Sequence, residues 1–150
     1  MNMAQKESGE ITFDTSRFGK ITVTGERVVN FVHGIPGFEE LKRYILIDHD
    51  KDGVFKWLQS VDDPMVAFLL TDPNRYKPDY VVPFSKSDME GLGAKAAGEL
   101  VSMVIVCISM SAGQVSLNLK GPVVFNSDNM NAMQCIIDRD DYVCSYLIKV

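Results

Sequence analysis

Apolar and polar residues alternate along most of this chain. In Ile11-Thr-Phe-Asp-Thr15 and Ile21-Thr-Val-Thr24 they do so with period two, the mark of a strand with one face buried. Gly19-Lys20 joins the two as a tight turn, and Val28 to Val32 continues the pattern. His33-Gly-Ile-Pro-Gly37 then interrupts it, because glycine and proline punctuate strands, and Glu39 to Lys42 leaves room for one short helical turn. Strands are predicted again at Tyr44 to Ile47, Val54 to Ser60 and Met65 to Thr71, separated by DHDKDG and VDDP, both rich in turn formers. Tyr80 to Phe84 reads as an edge strand, since Pro83 cannot donate to a ladder. Five more strands follow at Val101 to Met110, Val115 to Leu119, Val123 to Asn126, Gln134 to Ile137 and Tyr142 to Ile148.

One helix is predicted between Ser85 and Leu100, capped by Ser87 with Glu90 completing a capping box. Gly91, Gly93 and Gly98 keep it short. Many short strands with almost no helix define a mostly β protein, a single antiparallel β-barrel-like domain with one short helical segment. No linker, repeat or low-complexity stretch divides the 150 residues, so residues 1–150 are read as one domain, with residues 1–9 as a flexible tail.

Composition narrows the function classes. Hydrophobic residues at 46% and charged residues at 23% suit a soluble globular protein. A net charge of -5 disfavours direct nucleic-acid binding, which needs a basic surface, and suits a basic protein partner. The three cysteines, Cys107, Cys135 and Cys144, have no metal-ligand spacing, and Cys107 and Cys135 sit in apolar runs as small buried hydrophobes. The polar N-terminus lacks the apolar core of a secretion signal, and the most apolar window, Leu100 to Met110, is too short to span a bilayer. These features place the protein in the cytoplasm, with no membrane association.

Several chemical motifs begin and then fail. Asp48-His-Asp-Lys-Asp-Gly53 opens like a calcium loop, but the twelfth position is Gln59 rather than a bidentate Glu, and an acidic hairpin turn explains the segment. Gly91-Leu-Gly-Ala-Lys-Ala96 fits a loose dinucleotide pattern without the preceding buried strand. Nothing ties His33 or His49 to Ser109, Ser111 or Cys107. The carboxylate pairs Glu39/Glu40, Asp62/Asp63 and Asp140/Asp141 are adjacent, so on an extended chain their members point to opposite faces. The residues present no active site, no cofactor site and no metal site.

A set of landmarks carries a family resemblance. Thr15-Ser-Arg-Phe-Gly19, Ile35-Pro-Gly-Phe38, Leu58-Gln-Ser60, Ala67-Phe68, Asp72-Pro73, Pro78-Asp-Tyr80, Asn118-Leu-Lys-Gly-Pro122, Asn126, Gln134 and Tyr142 occur in that order. In them the chain resembles the FliW family of flagellar assembly factors over about nine-tenths of its length. Gly121 stands where the family usually has Ala, and Ala132 or Met133 where a Gly often precedes the Gln, which points to altered loop geometry. The resemblance implies a small β-barrel-like fold and a regulator without catalysis. Such proteins bind flagellin and the RNA-binding translational repressor CsrA, and thereby antagonise repression of flagellin mRNA by partner switching.

Candidate contact residues follow from where turns and aromatics fall. Pro36-Gly37 is expected to set a type II turn, with Phe38 as an aromatic anchor beside an acidic rim of Glu39 and Glu40. Met65, Phe68 and Met89, where exposed, suit an apolar helix laid in a groove. Asp62, Asp63, Asp138, Asp140 and Asp141 would steer a basic partner. Lys120 and Asn126 are expected to be exposed near the Gly121-Pro122 turn, whereas Gln59 and Asn118 are expected to satisfy buried backbone groups. Trp57 alternates with Lys56 and Leu58 and is expected to be buried. The competing readings are a small-ligand-binding β-barrel protein or enzyme, which needs a cavity with convergent polar groups, and an RNA binder.

Overall fold

The computed structural model describes residues 9–149. Glu10–Thr15 (β1) and Gly19–Thr24 (β2) form an antiparallel hairpin. A second sheet contains Val29–Phe31 (β3), Arg43–Asp48 (β4), Phe55–Ser60 (β5), Ala67–Thr71 (β6), Leu100–Ser109 (β7), Gln114–Leu117 (β8), Val123–Asn126 (β9), Asn131–Gln134 (β10) and Tyr146–Ile148 (β11). β3 to β7 pair in sequence order, β7 also pairs with β9, and β9 pairs with β10. β10 then pairs in parallel with β3 through Asn131↔Asn30 and Ala132↔Phe31, which closes a barrel of 7 strands. β7 is long enough to serve twice: Leu100 to Met103 line up with β9, while Val106 to Ser109 line up with β8, which carries β11 on its other edge.

The barrel interior is filled by Phe31, Tyr44, Leu58, Leu70, Met103, Phe125 and Ala132. Phe31 meets Tyr44 edge to face at 5.0 Å and Phe125 at 6.2 Å, the offset geometry that ring quadrupoles favour. β4 reads Tyr-Ile-Leu-Ile without alternation because both its faces are covered. Tyr44 and Leu46 point into the barrel, while Ile45 and Ile47 lie beneath the β1–β2 hairpin with Phe13, Val23 and Val28. A third cluster packs Tyr80, Val106, Leu117, Ile137 and Tyr142 between the barrel wall and the β8–β11 extension.

Several sequence expectations need correction. The helix, Lys86–Leu92 (α1), starts two residues earlier than Ser87 would allow. Ser85 is the cap: its hydroxyl accepts from Asp88 N, and the Asp88 carboxylate accepts from Ser85 N. Gly93 ends the helix in the left-handed region at φ 66, so the Gly91-Leu-Gly sequence terminates a helix instead of opening one. Tyr80 to Phe84 is not a strand. It is extended, and side chains replace the ladder: Tyr80 donates its hydroxyl to Leu119 O at 2.6 Å, while the Tyr142 hydroxyl accepts from Val81 N and donates to Val81 O. Tyr142 is thereby drawn out of β11, which covers only the last part of the expected strand. β10 lies three residues earlier than expected, and Glu39 to Lys42 makes a turn with no helical residue. Three short 3-10 turns, Gly25–Arg27, Pro73–Arg75 and Ala97–Glu99, were not anticipated. Cys135 is buried as expected, but Cys107 is exposed on the splayed half of β7. Of the expected tail, Gly9 is described and accepts from Gly25 N, and the rest lies outside the described residues.

The two buried tyrosines make opposite predictions. Tyr80→Phe leaves the Leu119 carbonyl without its donor and should lower stability by about 1–3 kcal/mol, whereas Tyr44→Phe removes a buried hydroxyl that has no hydrogen-bond partner and should be neutral or stabilising by up to ~1 kcal/mol. Urea denaturation of the two variants checks both signs.

Alkaline pH should also unfold the protein. Burial pushes the Tyr44 hydroxyl up from 10.0 to about 12 and the Cys135 thiol up from 9.0 to about 12, and it raises Tyr80 as well. These groups stay protonated in the fold but ionise more readily in the unfolded chain. Their contribution is complete below pH 9.0 and is lost as the pH climbs toward about 12. Denaturation midpoints measured across that window should fall steadily.

Candidate protein-binding site

The loop after β3 begins with a backbone constraint. Gly34 lies at φ +69, and a Cβ there would sit 2.6 Å from the Glu39 backbone. Only glycine permits that approach. Ile35 is buried, Gly37 adopts φ +89, and Phe38 N donates to Ile35 O at 2.6 Å, which is the expected type II turn. The turn lifts Phe38 onto the surface, 39% exposed, with its ring edge-on to Phe68 at 5.2 Å. Phe68 in turn leans on the buried Tyr44. The aromatic anchor is therefore continuous with the barrel core.

The β5–β6 loop comes up beside it. Gln59 is fully buried, and its amide donates to Ser60 O and Val66 O, the structural role expected of it. The Ser60 hydroxyl accepts from Asp62 N and Asp63 N, and the Asp63 carboxylate accepts from Met65 N. These bonds hold the loop so that Met65 projects outward, 78% exposed. Arg43 grips Asp62 with two guanidinium bonds of 3.2 and 2.5 Å. The Glu39 carboxylate accepts from Gly37 N at 3.0 Å, and that bond chiefly holds its pKa below the usual value. A concavity of 380 Å³ lies between the loops, lined by Gly37, Phe38, Glu39, Glu40, Leu41 and Asp63.

Seven sequence candidates thus meet at one place: Phe38, Glu39, Glu40, Asp62, Asp63, Met65 and Phe68. The other three do not join them. Lys120 is half-buried and lies next to Asp138 through the bond from Ile137 N to Lys120 O. Asn126, expected to be exposed, is 1% exposed. Its amide donates to Leu92 O and its carbonyl accepts from Asp128 N, so it closes the end of α1 and cannot face a partner. Met89 is half-buried. Trp57 is only half-buried: Arg17 stacks over its ring at 4.0 Å, and its indole N–H donates to His49 Nδ1.

Among the described residues no three His, Cys, Asp or Glu side chains are grouped to hold a metal ion. In the acidic turn, Asp48 pairs with Lys56 and Asp50 accepts from Val54 N, as a hairpin turn requires. An exposed aromatic seated on a rigid core, rimmed by carboxylates, can anchor a protein surface that carries a pocket and positive charge. Sequence reasoning missed the cleft formed by Leu69, Ile105, Val106 and Ile108 between β6 and β7, because only the splay of the two strands creates it. It also missed the demand for glycine at position 34, which arises from a contact five residues away.

Comparison with known proteins agrees with the landmarks. The family model described as FliW protein matches residues 12–148. The flagellar assembly factor FliW of Caldanaerobacter subterraneus subsp. tengcongensis is 38% identical over 136 residues, covering 90% of this chain and 91% of that protein. Those of Alkaliphilus metalliredigens and Bdellovibrio bacteriovorus are 35% and 37% identical, covering 89% and 85% of this chain and 83% and 73% of the relatives. A crystal structure of the flagellar assembly factor FliW superposes with a TM-score of 0.83 at 26% identity, covering 93% of this chain and 98% of that one.

Gly34→Ala should test how far the loop depends on its backbone. A left-handed alanine driven against Glu39 should cost on the order of 2 kcal/mol or more and should separate Phe38 from Phe68. Denaturation and the ring-current shifts of the two phenylalanines read the two effects.

Proposed function

Because this chain belongs to the FliW family of flagellar assembly factors, we propose that it acts by exchanging two protein partners, flagellin and the RNA-binding repressor CsrA. While it holds the repressor, flagellin mRNA is free to be translated. Unexported flagellin that accumulates captures the protein, releases the repressor and stops synthesis. Export of flagellin reverses the exchange. No bond is made or broken, and the protein works in the cytoplasm as a binding module without a cofactor. No described helix is long and apolar enough to cross a membrane.

The observation that carries this reading is the Phe38–Phe68 pair with its rim of Glu39, Glu40 and Asp63. A repressor that holds RNA must itself be basic, so a carboxylate rim complements it and speeds encounter. The apolar anchor supplies the part of the affinity that does not fade with salt. The small-ligand alternative has less behind it. The barrel mouth holds a cavity of 250 Å³ lined by side chains such as Val29, Leu46, Met103 and Phe125, without the convergent polar groups that would orient a substrate.

Calorimetric titration of the protein with each partner tests the proposal. Saturable binding is expected, and Phe38→Ala should weaken it by roughly 30-fold, the loss of a hot-spot side chain. Asp63→Asn should slow association and flatten its salt dependence with little change in dissociation. Unchanged affinity in a folded Phe38→Ala variant would remove Phe38 from the interface.

A further inference from the structure

The barrel mouth lies at the end opposite Phe38. β3, β5 and β10 begin there and β4 and β9 finish there, whereas the loops of Phe38 and Met65 follow the finish of β3 and β5. The mouth holds the cavity of 250 Å³, and six of the seven barrel strands line it: Val29 on β3, Leu46 on β4, Lys56 on β5, Met103 on β7, Phe125 on β9 and Asn131 on β10. Val101, opposite Phe125 in the ladder and 53% exposed, stands at the opening.

Strand register explains the character of the wall. Leu58 and Leu70 belong to the core, so Lys56, two residues before Leu58 and directly opposite Leu70, also points inward. Asp48 faces it across the β4–β5 ladder and pairs with its ammonium, which leaves the Lys56 stem to the cavity. The Asn126 side chain is spent on Leu92 O and Asp128 N. The wall is therefore apolar throughout.

We propose that this cavity binds a small, uncharged apolar molecule of about ten carbon atoms, lodged against the seam between β3 and β10. Volume sets the size. A cavity of about 150 Å³ takes benzene, and 250 Å³ takes about ten carbons by the same proportion. The wall sets the chemical class. A polar or ionised group inside would give up its hydration with no partner to replace it. At the rim Lys56 is already neutralised by Asp48, so the lining offers no unpaired charge to an ionic head. The lack of orienting polar groups, which counts against a substrate, suits a hydrocarbon. Position gives the molecule its effect. Val29 and Met130 line the cavity from the two sides of the seam, and Met130 O accepts from Asn30 N, one of the bonds that close the barrel. A ligand touching both strengthens that closure, because it binds only the folded barrel. Binding at this end is separate from the Phe38 surface and does not depend on partner exchange.

Titration of the full-length protein with naphthalene, followed by methyl NMR, tests the site. Saturable shifts are expected at the methyl groups of Val29, Leu46, Val101, Met103 and Met130, with one molecule bound per chain. Saturation should also slow hydrogen exchange at the Asn30 amide and raise the urea midpoint. Val101→Phe fills the opening from an exposed position, so the fold should survive, and it should weaken binding roughly tenfold or more. Naphthoate, the same ring system with a carboxylate added, should bind roughly tenfold more weakly or worse. Shifts that fail to saturate or that miss these methyl groups overturn the proposal, as does a folded Val101→Phe variant of unchanged affinity. Naphthoate binding as tight as that of naphthalene overturns the uncharged class. Displacement of naphthalene by flagellin or the repressor also overturns the proposal, by assigning the cavity to a partner's side chain.

Discussion

Everything in this molecule depends on one short parallel pairing. β10 meets β3 through Asn131↔Asn30 and Ala132↔Phe31, with Asn30 N donating to Met130 O and Val32 N to Ala132 O. Every other pairing in the barrel is antiparallel between strands. Closure brings the fully buried Ala132 and the almost fully buried Phe31 side by side, and Phe31 then meets both Tyr44 and Phe125. Met130, at φ 60, is the one non-glycine residue among those described that holds a left-handed backbone, and it sits at the entry to β10. A strained residue persists where its surroundings over-determine it, and here they are the bonds that shut the barrel.

Closure also positions the surface around Phe38. The loop carrying Phe38 springs directly from β3, so the anchor inherits its place from the strand that shuts the ring. The opposing loop is held by Gln59 and Ser60, both fully buried polar residues. Rigid backbone beneath exposed aromatic and acidic side chains reduces the ordering cost of any association made there. The same geometry creates the split between β6 and β7, because a strand that closes the barrel at one end and feeds an outer sheet at the other must part from its neighbour.

Much of this was legible in the residues. Period-two alternation located β1, β2 and β3, and turn chemistry located the 48–53 hairpin and the Pro36-Gly37 turn, since both signals are local. Phe38 with Glu39 and Glu40 could be nominated because an aromatic and two acids follow a turn. What failed depended on distant contacts. Asn126 looked like a surface polar residue until the end of α1 required a donor, and Tyr80 to Phe84 looked like a strand until Tyr142 answered its backbone in place of a ladder. The capping box slipped by two positions because Ser85/Asp88 and Ser87/Glu90 satisfy the same pattern. Cys107 was expected inside because its neighbours are apolar, yet it falls where β7 has left the barrel.

The central claim is that two proteins compete for this barrel. It is tested most directly by adding flagellin in steps to a preformed complex with the repressor, while released repressor is measured through its capture by labelled flagellin mRNA leader. RNA capture that rises in proportion to flagellin and saturates at one flagellin per complex is the predicted result. Flagellin that joins the complex without releasing repressor, or that fails to bind it at all, would contradict partner exchange.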